Sequence, residues 1–182
     1  MRSMRNPNRP ALRLPLRELV LFSMLGTLMF CSKLITEALP NIHLLAMLTM
    51  VYTLAFRKKA LIPIYIFVFL TGIYAGFAPW WIPYWYLWTV LWGVTMLLPR
   101  SLPKKAAAPL YMAVCGLHGF AYGTLYAPAQ ALLFGLDFHG MVAWIIAGLP
   151  WDVVHGISNL VTGSLIVPLS AALLRCGKVL QK

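Results

Sequence analysis

Asp152, His155 and Asn159 stand at spacings of three and four inside a long apolar run, and residues so spaced share one face of a helix. A carboxylate, an imidazole and a carboxamide on one face can hold a polar ligand, or the first two can act as an acid–base pair. Asp152 falls well within the apolar run, where an unpaired carboxylate is costly. Two readings follow. In one, the face is a buried network in which Asp152 accepts from His155 or from Lys33. In the other, it lines a cavity open to one side of a membrane.

Further polar residues gather near the same level. Lys33, Glu37, Asn41 and His43 lie around the end of the first apolar segment, and Asp137 and His139 sit in a later gap. Trp81, Trp85, Trp88 and Trp92 form a stripe at helical spacing, with Trp80, Tyr84 and Tyr86 beside it. At about 1.5 Å per residue this stripe reaches roughly 16 Å inward, deeper than an interfacial belt requires. It is an aromatic wall for a bound ring system or a helix-packing seam. His118, Tyr122, Tyr126 and Gln130 run beside a stripe of Gly116, Gly119, Gly123 and Ala127 that permits close helix contact. The tyrosines either line the cavity or pack with one hydroxyl bond each. Ser23, Thr27 and Cys31 recur every four residues with Gly26 adjacent, a pattern for internal packing or for docking another membrane protein.

Other chemistries lack their residues. There is no G-x-x-x-x-G-K-[ST], so no P-loop ATP hydrolysis, and no H-E-x-x-H or G-x-S-x-G. His43, His118, His139 and His155 are dispersed without ligand spacing, so neither a metal nor a cofactor is expected. Cys31, Cys115 and Cys176 are read as buried thiols.

The elements that must position these residues are hydrophobic. The chain is 61% hydrophobic and 10% charged with mean hydropathy +0.79, the composition of an integral membrane protein. Its +11 charge is scattered over gaps beside apolar runs, which points to membrane topology and anionic lipid and away from nucleic acid. Of the fifteen Lys and Arg residues, only Lys33 falls well inside a span, Arg17 standing at the very start of the first. The others cluster at Arg2 to Arg17, Arg57 to Lys59, Arg100 to Lys105 and Arg175 to Lys182, and the alternate gaps carry none. Positive-inside reasoning then gives an all-α membrane protein with six transmembrane helices and both termini cytoplasmic. The expected spans are Leu16–Leu39, Ile42–Phe56, Ala60–Phe77, Tyr84–Leu98, Ala107–Phe134 and Met141–Leu174. The second and fourth are short against the roughly 20 residues a span needs. The first is read as an uncleaved helix rather than a signal peptide. The whole chain is expected to form one membrane domain, with residues 1–15 as a basic cytoplasmic segment.

A first helix with a small-residue stripe, Asn41-Ile42-His43 opening the second, and Pro150-Trp151-Asp152-x-x-His155-Gly156-x-x-Asn159 in the sixth resemble the substrate-binding S-components of energy-coupling factor transporters. Arg57 to Leu61, Cys115 to Gly119 and Leu125 to Gln130 look most like the cobalamin-type members. The resemblance covers about Leu16 to Leu174. It implies a non-enzymatic subunit of the bacterial cytoplasmic membrane that captures a vitamin-like molecule from outside. Such a subunit docks on a membrane scaffold subunit served by two cytoplasmic ATPases and topples to deliver its cargo. The pocket residues so implied are Lys33, Asn41, His43, Trp81, Tyr84, Trp85, Trp88, Tyr122, Tyr126, Gln130, Asp152, His155 and Asn159, and the docking residues are Ser23, Gly26 and Thr27. Family members usually carry alanines in that stripe, and this chain departs from the pattern. Cobalamin is the expected substrate. A smaller cationic base such as a queuosine precursor, matched to Asp152 and Glu37, is the alternative. A cavity within the ordinary small-ligand range of about 300–1,000 Å³ excludes cobalamin. A different class of reading is a membrane-embedded enzyme using Asp152 and His155.

Overall fold

The computed structural model describes residues 14–39, 42–99 and 102–180, and these form an all-helical bundle. The helices are α1 (Leu16–Thr36), α2 (Leu45–Phe56), α3 (Leu61–Ala75), α4 (Tyr84–Leu97), α5 (Lys104–Phe120), α6 (Tyr122–Phe134), α7 (Phe138–Thr162) and α8 (Ile166–Leu180). Local chemistry marks several ends. Pro15 precedes α1, Glu18 occupies its first turn and Lys33 its last, each charge complementing the helix dipole. Gly135 closes α6 in the left-handed conformation. Asp137 caps α7 by accepting from the Gly140 amide at 2.7 Å, which explains this acidic residue as a helix start.

Three stretches among the described residues are long and apolar enough to cross a membrane: Leu16–Thr36, Leu45–Ala75 and Phe138–Arg175. The middle one is a hairpin. Phe22 packs on Phe56 and the Tyr52 hydroxyl donates to the Leu25 carbonyl, so α2 runs antiparallel to α1. Lys59 pairs with Glu18, Gly26 abuts Pro63 and Ile66, and Phe30 meets Tyr74, so α3 runs parallel to α1. The reversal occurs at Arg57, the one described residue other than glycine with positive φ (54°). That strained backbone is held by its surroundings. The Arg57 carbonyl accepts from Trp92 Nε1 at 3.1 Å, and its guanidinium donates to the Met96 carbonyl at 2.9 Å.

Direction continues to alternate. Val68 and Tyr65 on α3 meet Trp81, in the turn before α4, and Thr89 on α4 in antiparallel register. Tyr86 and Trp80 meet Leu125 and Tyr126 in the same sense. The fifth expected segment begins earlier than Ala107 and is two helices, α5 and α6, broken at Ala121. The last begins at Phe138, runs through Pro150 without interruption, and turns at Gly163 to Leu165 before α8. The basic residues Arg57, Lys58 and Lys59 therefore lie at the end of the bundle opposite Trp80, Tyr126 and Asp137.

Helix α2 is the centre. Nine of its twelve residues, Leu45 to Thr53, are buried, so it is enclosed on nearly every side. Around it lie Phe22, Met29, Ile64, Phe67, Trp88, Leu91, Cys115 and Ile166. Large apolar side chains also cover the outside. Ile35 is 79% exposed, Leu97 85% and Leu132 85%. At about 25 cal/mol per Å² of apolar surface such a coat is unfavourable in water and favourable in lipid.

Candidate functional site

The break between α5 and α6 builds the site. Gly116, Gly119 and Gly123 let α5 and α6 lie directly on α7, facing Leu160, Asn159 and Asp152 in turn. At the break, the Gly123 amide turns to Asp152 Oδ1 at 2.9 Å. A carboxylate from α7 thus caps the first turn of α6, where the helix dipole favours negative charge. The partner of Asp152 is this backbone amide, and neither His155 nor Lys33 as the network reading expects. Lys33 is drawn instead to Glu37, 3.7 Å away, because residues four apart on one helix are neighbours. The second oxygen, Oδ2, is buried and has no hydrogen-bond partner.

Between α6 and α7 opens a cleft of about 560 Å³. It is lined by Tyr122, Gly123, Tyr126 and Gln130 on one side and by Trp144, Gly148, Trp151, Asp152 and His155 on the other. Tyr126 stacks on Trp144 with ring centroids 5.7 Å apart, and its hydroxyl donates to the Trp80 carbonyl at 2.7 Å. Tyr122 stacks on His155 at 4.6 Å. Behind this pair lies a buried hub. His155 Nε2 meets His43 Nε2, which ties the start of α2 to α7. Such a contact requires one ring to donate and the other to accept. Trp88 approaches His43, His118 and Tyr122 with centroids 5.9–6.3 Å apart, and His118 Nε2 meets the Leu87 carbonyl.

The expected pocket residues therefore separate. Tyr122, Tyr126, Gln130, Asp152 and His155 share the cleft wall. His43 and Trp88 belong to the hub behind it, with Tyr84 packed on Trp88 and stacked on Phe67. The indole stripe does not line this cleft. Trp81 donates to the Val68 carbonyl at 2.7 Å and Trp85 lies on Tyr65, so both serve the α3–α4 seam. Asn159 is 1% exposed and wedged against Gly119, below the cleft. Asn41 lies outside the described residues. On α1, Ser23, Thr27 and Cys31 face outward, whereas Gly26 is buried against α3. A Cβ there would stand 2.6 Å from Ile66 Cγ2, so Gly26 serves internal packing and not docking.

Sequence reasoning passed over Trp144, Gly148 and Trp151. A signal existed, because Trp144, Gly148 and Asp152 recur every fourth residue on the face that His155 continues. Asp152 and His155 do not bond to each other, since one is turned to Gly123 and the other to His43. No group of three or more His, Cys, Asp or Glu among the described residues is arranged to hold a metal. No protein-family model, curated protein or solved structure matches the chain.

Proposed function

We propose that this chain is the substrate-capture subunit of an energy-coupling-factor-type uptake transporter, crossing the bacterial cytoplasmic membrane six times with both termini inside. The observation that carries the reading is the aromatic cleft between α6 and α7, set at the end of the bundle away from Arg57 to Lys59 and holding a buried, half-partnered carboxylate. The short helices fit six crossings if the bilayer thins or the helices are extended by their flanking turns. At about 1.5 Å per residue α2 spans roughly 18 Å and α4 roughly 21 Å. The alternating register of α1 to α4 supports the same path. Energy must come from elsewhere, because the sequence has no P-loop. A membrane scaffold subunit and two ATPases fill that role in the resemblance, with Ser23 and Thr27 as the docking face.

Cobalamin is not the substrate of this reading. The cleft volume of about 560 Å³ lies inside the small-ligand range, which favours a vitamin-sized ring compound. The test is calorimetric titration of the chain in lipid nanodiscs with a panel of water-soluble vitamins and a queuosine precursor, with cobalamin as the large comparator. One ligand should saturate at one per chain, and the Gly148→Leu variant should lose it. Gly148 suits this purpose because it lines the cleft and a Cβ there meets nothing within 4 Å, so a larger side chain starts into open space. Unchanged binding by Gly148→Leu removes the cleft as the site. Saturable binding of cobalamin overturns the size argument.

A further inference from the structure

A residue that borders the α6–α7 cleft carries a buried polar atom that the fold leaves unanswered. Asp152 is 4% exposed, its Oδ1 is taken by the Gly123 amide, and its Oδ2 is buried without a partner. Lys33 pairs with Glu37 and Lys59 with Glu18, so neither of these lysines answers it. Buried acceptors are nearly always satisfied, and a carboxylate in an apolar wall requires a donor, preferably one carrying positive charge. The rest of the wall meets the same requirement. Tyr126 and Trp144 stack at an interplanar angle of 16°, and Trp151 stands 58% exposed beside Asp152. Aromatic faces are negative, so they attract cations and accept flat groups in offset stacking.

Resting on the capture reading above, we infer that the cleft takes a planar, positively charged nitrogen compound: an amidinium, a guanidinium or a protonated amino-heterocycle. Its N–H donates to Asp152 Oδ2, and its plane lies against the rings of Tyr126, Trp144 and Trp151. Gln130, with one acceptor and two donors at the same wall, serves an uncharged edge of the ligand. A neutral ring of equal size leaves Oδ2 unsatisfied and is rejected, because a site built around a buried polar group discriminates against analogues that cannot pair with it.

The probes are benzamidinium and its neutral near-isostere benzamide, titrated against the full chain in phosphatidylcholine nanodiscs and followed by saturation-transfer NMR. Benzamidinium should bind saturably and benzamide at least ~10-fold more weakly. Asp152→Asn should abolish that difference. It keeps an oxygen for the Gly123 amide and so preserves the cap, and an unchanged melting temperature will verify the fold. Gly148→Leu should remove binding of both probes. Equal binding of the two probes, or a cation preference that survives Asp152→Asn, overturns the charge assignment. If benzamide binds as well as the cation and is lost in Gly148→Leu, only the charge assignment falls and the capture reading stands. If neither probe binds and the vitamin panel also gives nothing, both fall.

Discussion

At the scale of single residues, Asp152 serves two roles through two oxygens. Oδ1 caps α6, and Oδ2 is buried without a partner in a side chain that borders the cleft. Gly123 makes this possible, since a Cβ there would stand 2.5 Å from Oδ2 and 3.0 Å from Oδ1. Gly123→Ala must therefore displace the carboxylate, and it should cost about 1–3 kcal/mol as overpacking usually does. Gly148→Ala meets open space and should be neutral or stabilising by up to ~1 kcal/mol, the helix-propensity difference between the two residues. Thermal unfolding of the two variants side by side checks the contrast, and equal losses would deny the carboxylate contact. Asp152, His155, Tyr122, Tyr126 and Gln130, which share one cleft wall, were legible as candidates because polar and aromatic side chains in an apolar run stand out by type. Which atom answers Asp152 was not legible. A backbone amide freed by a helix break has no signature in residue identity.

At the scale of helices, α1 has two faces that its sequence pattern merges. Ser23, Gly26 and Thr27 are small and near one another in sequence, yet about 100° per residue separates their directions. Gly26 turns into α3, and Ser23 and Thr27 turn out. On the proposed capture role, Ser23→Trp and Thr27→Trp should leave the purified chain folded and able to bind ligand, while cellular uptake is lost through a blocked docking face. Gly26→Leu should instead destabilise the chain, by roughly 1–3 kcal/mol or more, against Ile66 and Pro63. Binding assays, transport assays and melting curves separate these outcomes. If Ser23→Trp transports normally, the outward stripe is only lipid-facing. The tryptophan stripe of α4 teaches a related point. Period 3.6 identified a single face, but whether that face meets a ligand or α3 depends on a helix distant in sequence.

At the scale of the whole molecule, charge and hydropathy describe orientation, and packing describes the path. Lys58 is exposed at the hairpin between α2 and α3, and Phe138 is exposed at the start of α7, at opposite ends of the bundle. Single cysteines at these two positions, in a background lacking Cys31, Cys115 and Cys176, should react with an impermeant thiol reagent from opposite sides of the membrane. Phe138→Cys should label from outside in intact cells, and Lys58→Cys only after lysis. Labelling of both from one side would refute the alternating path. The amino-acid sequence by itself determined that the chain is helical and apolar, where its basic gaps fall, and that no P-loop is present. These are properties of composition and short-range periodicity, and they need no knowledge of distant partners. Only the tertiary structure decided that Leu45–Ala75 folds back at Arg57, that α5 and α6 part at Ala121, and that the cleft bordered by Asp152 lies between α6 and α7. Each of these depends on contacts between residues tens of positions apart, such as Trp92 with Arg57 and Gly123 with Asp152, which local periodicity does not encode.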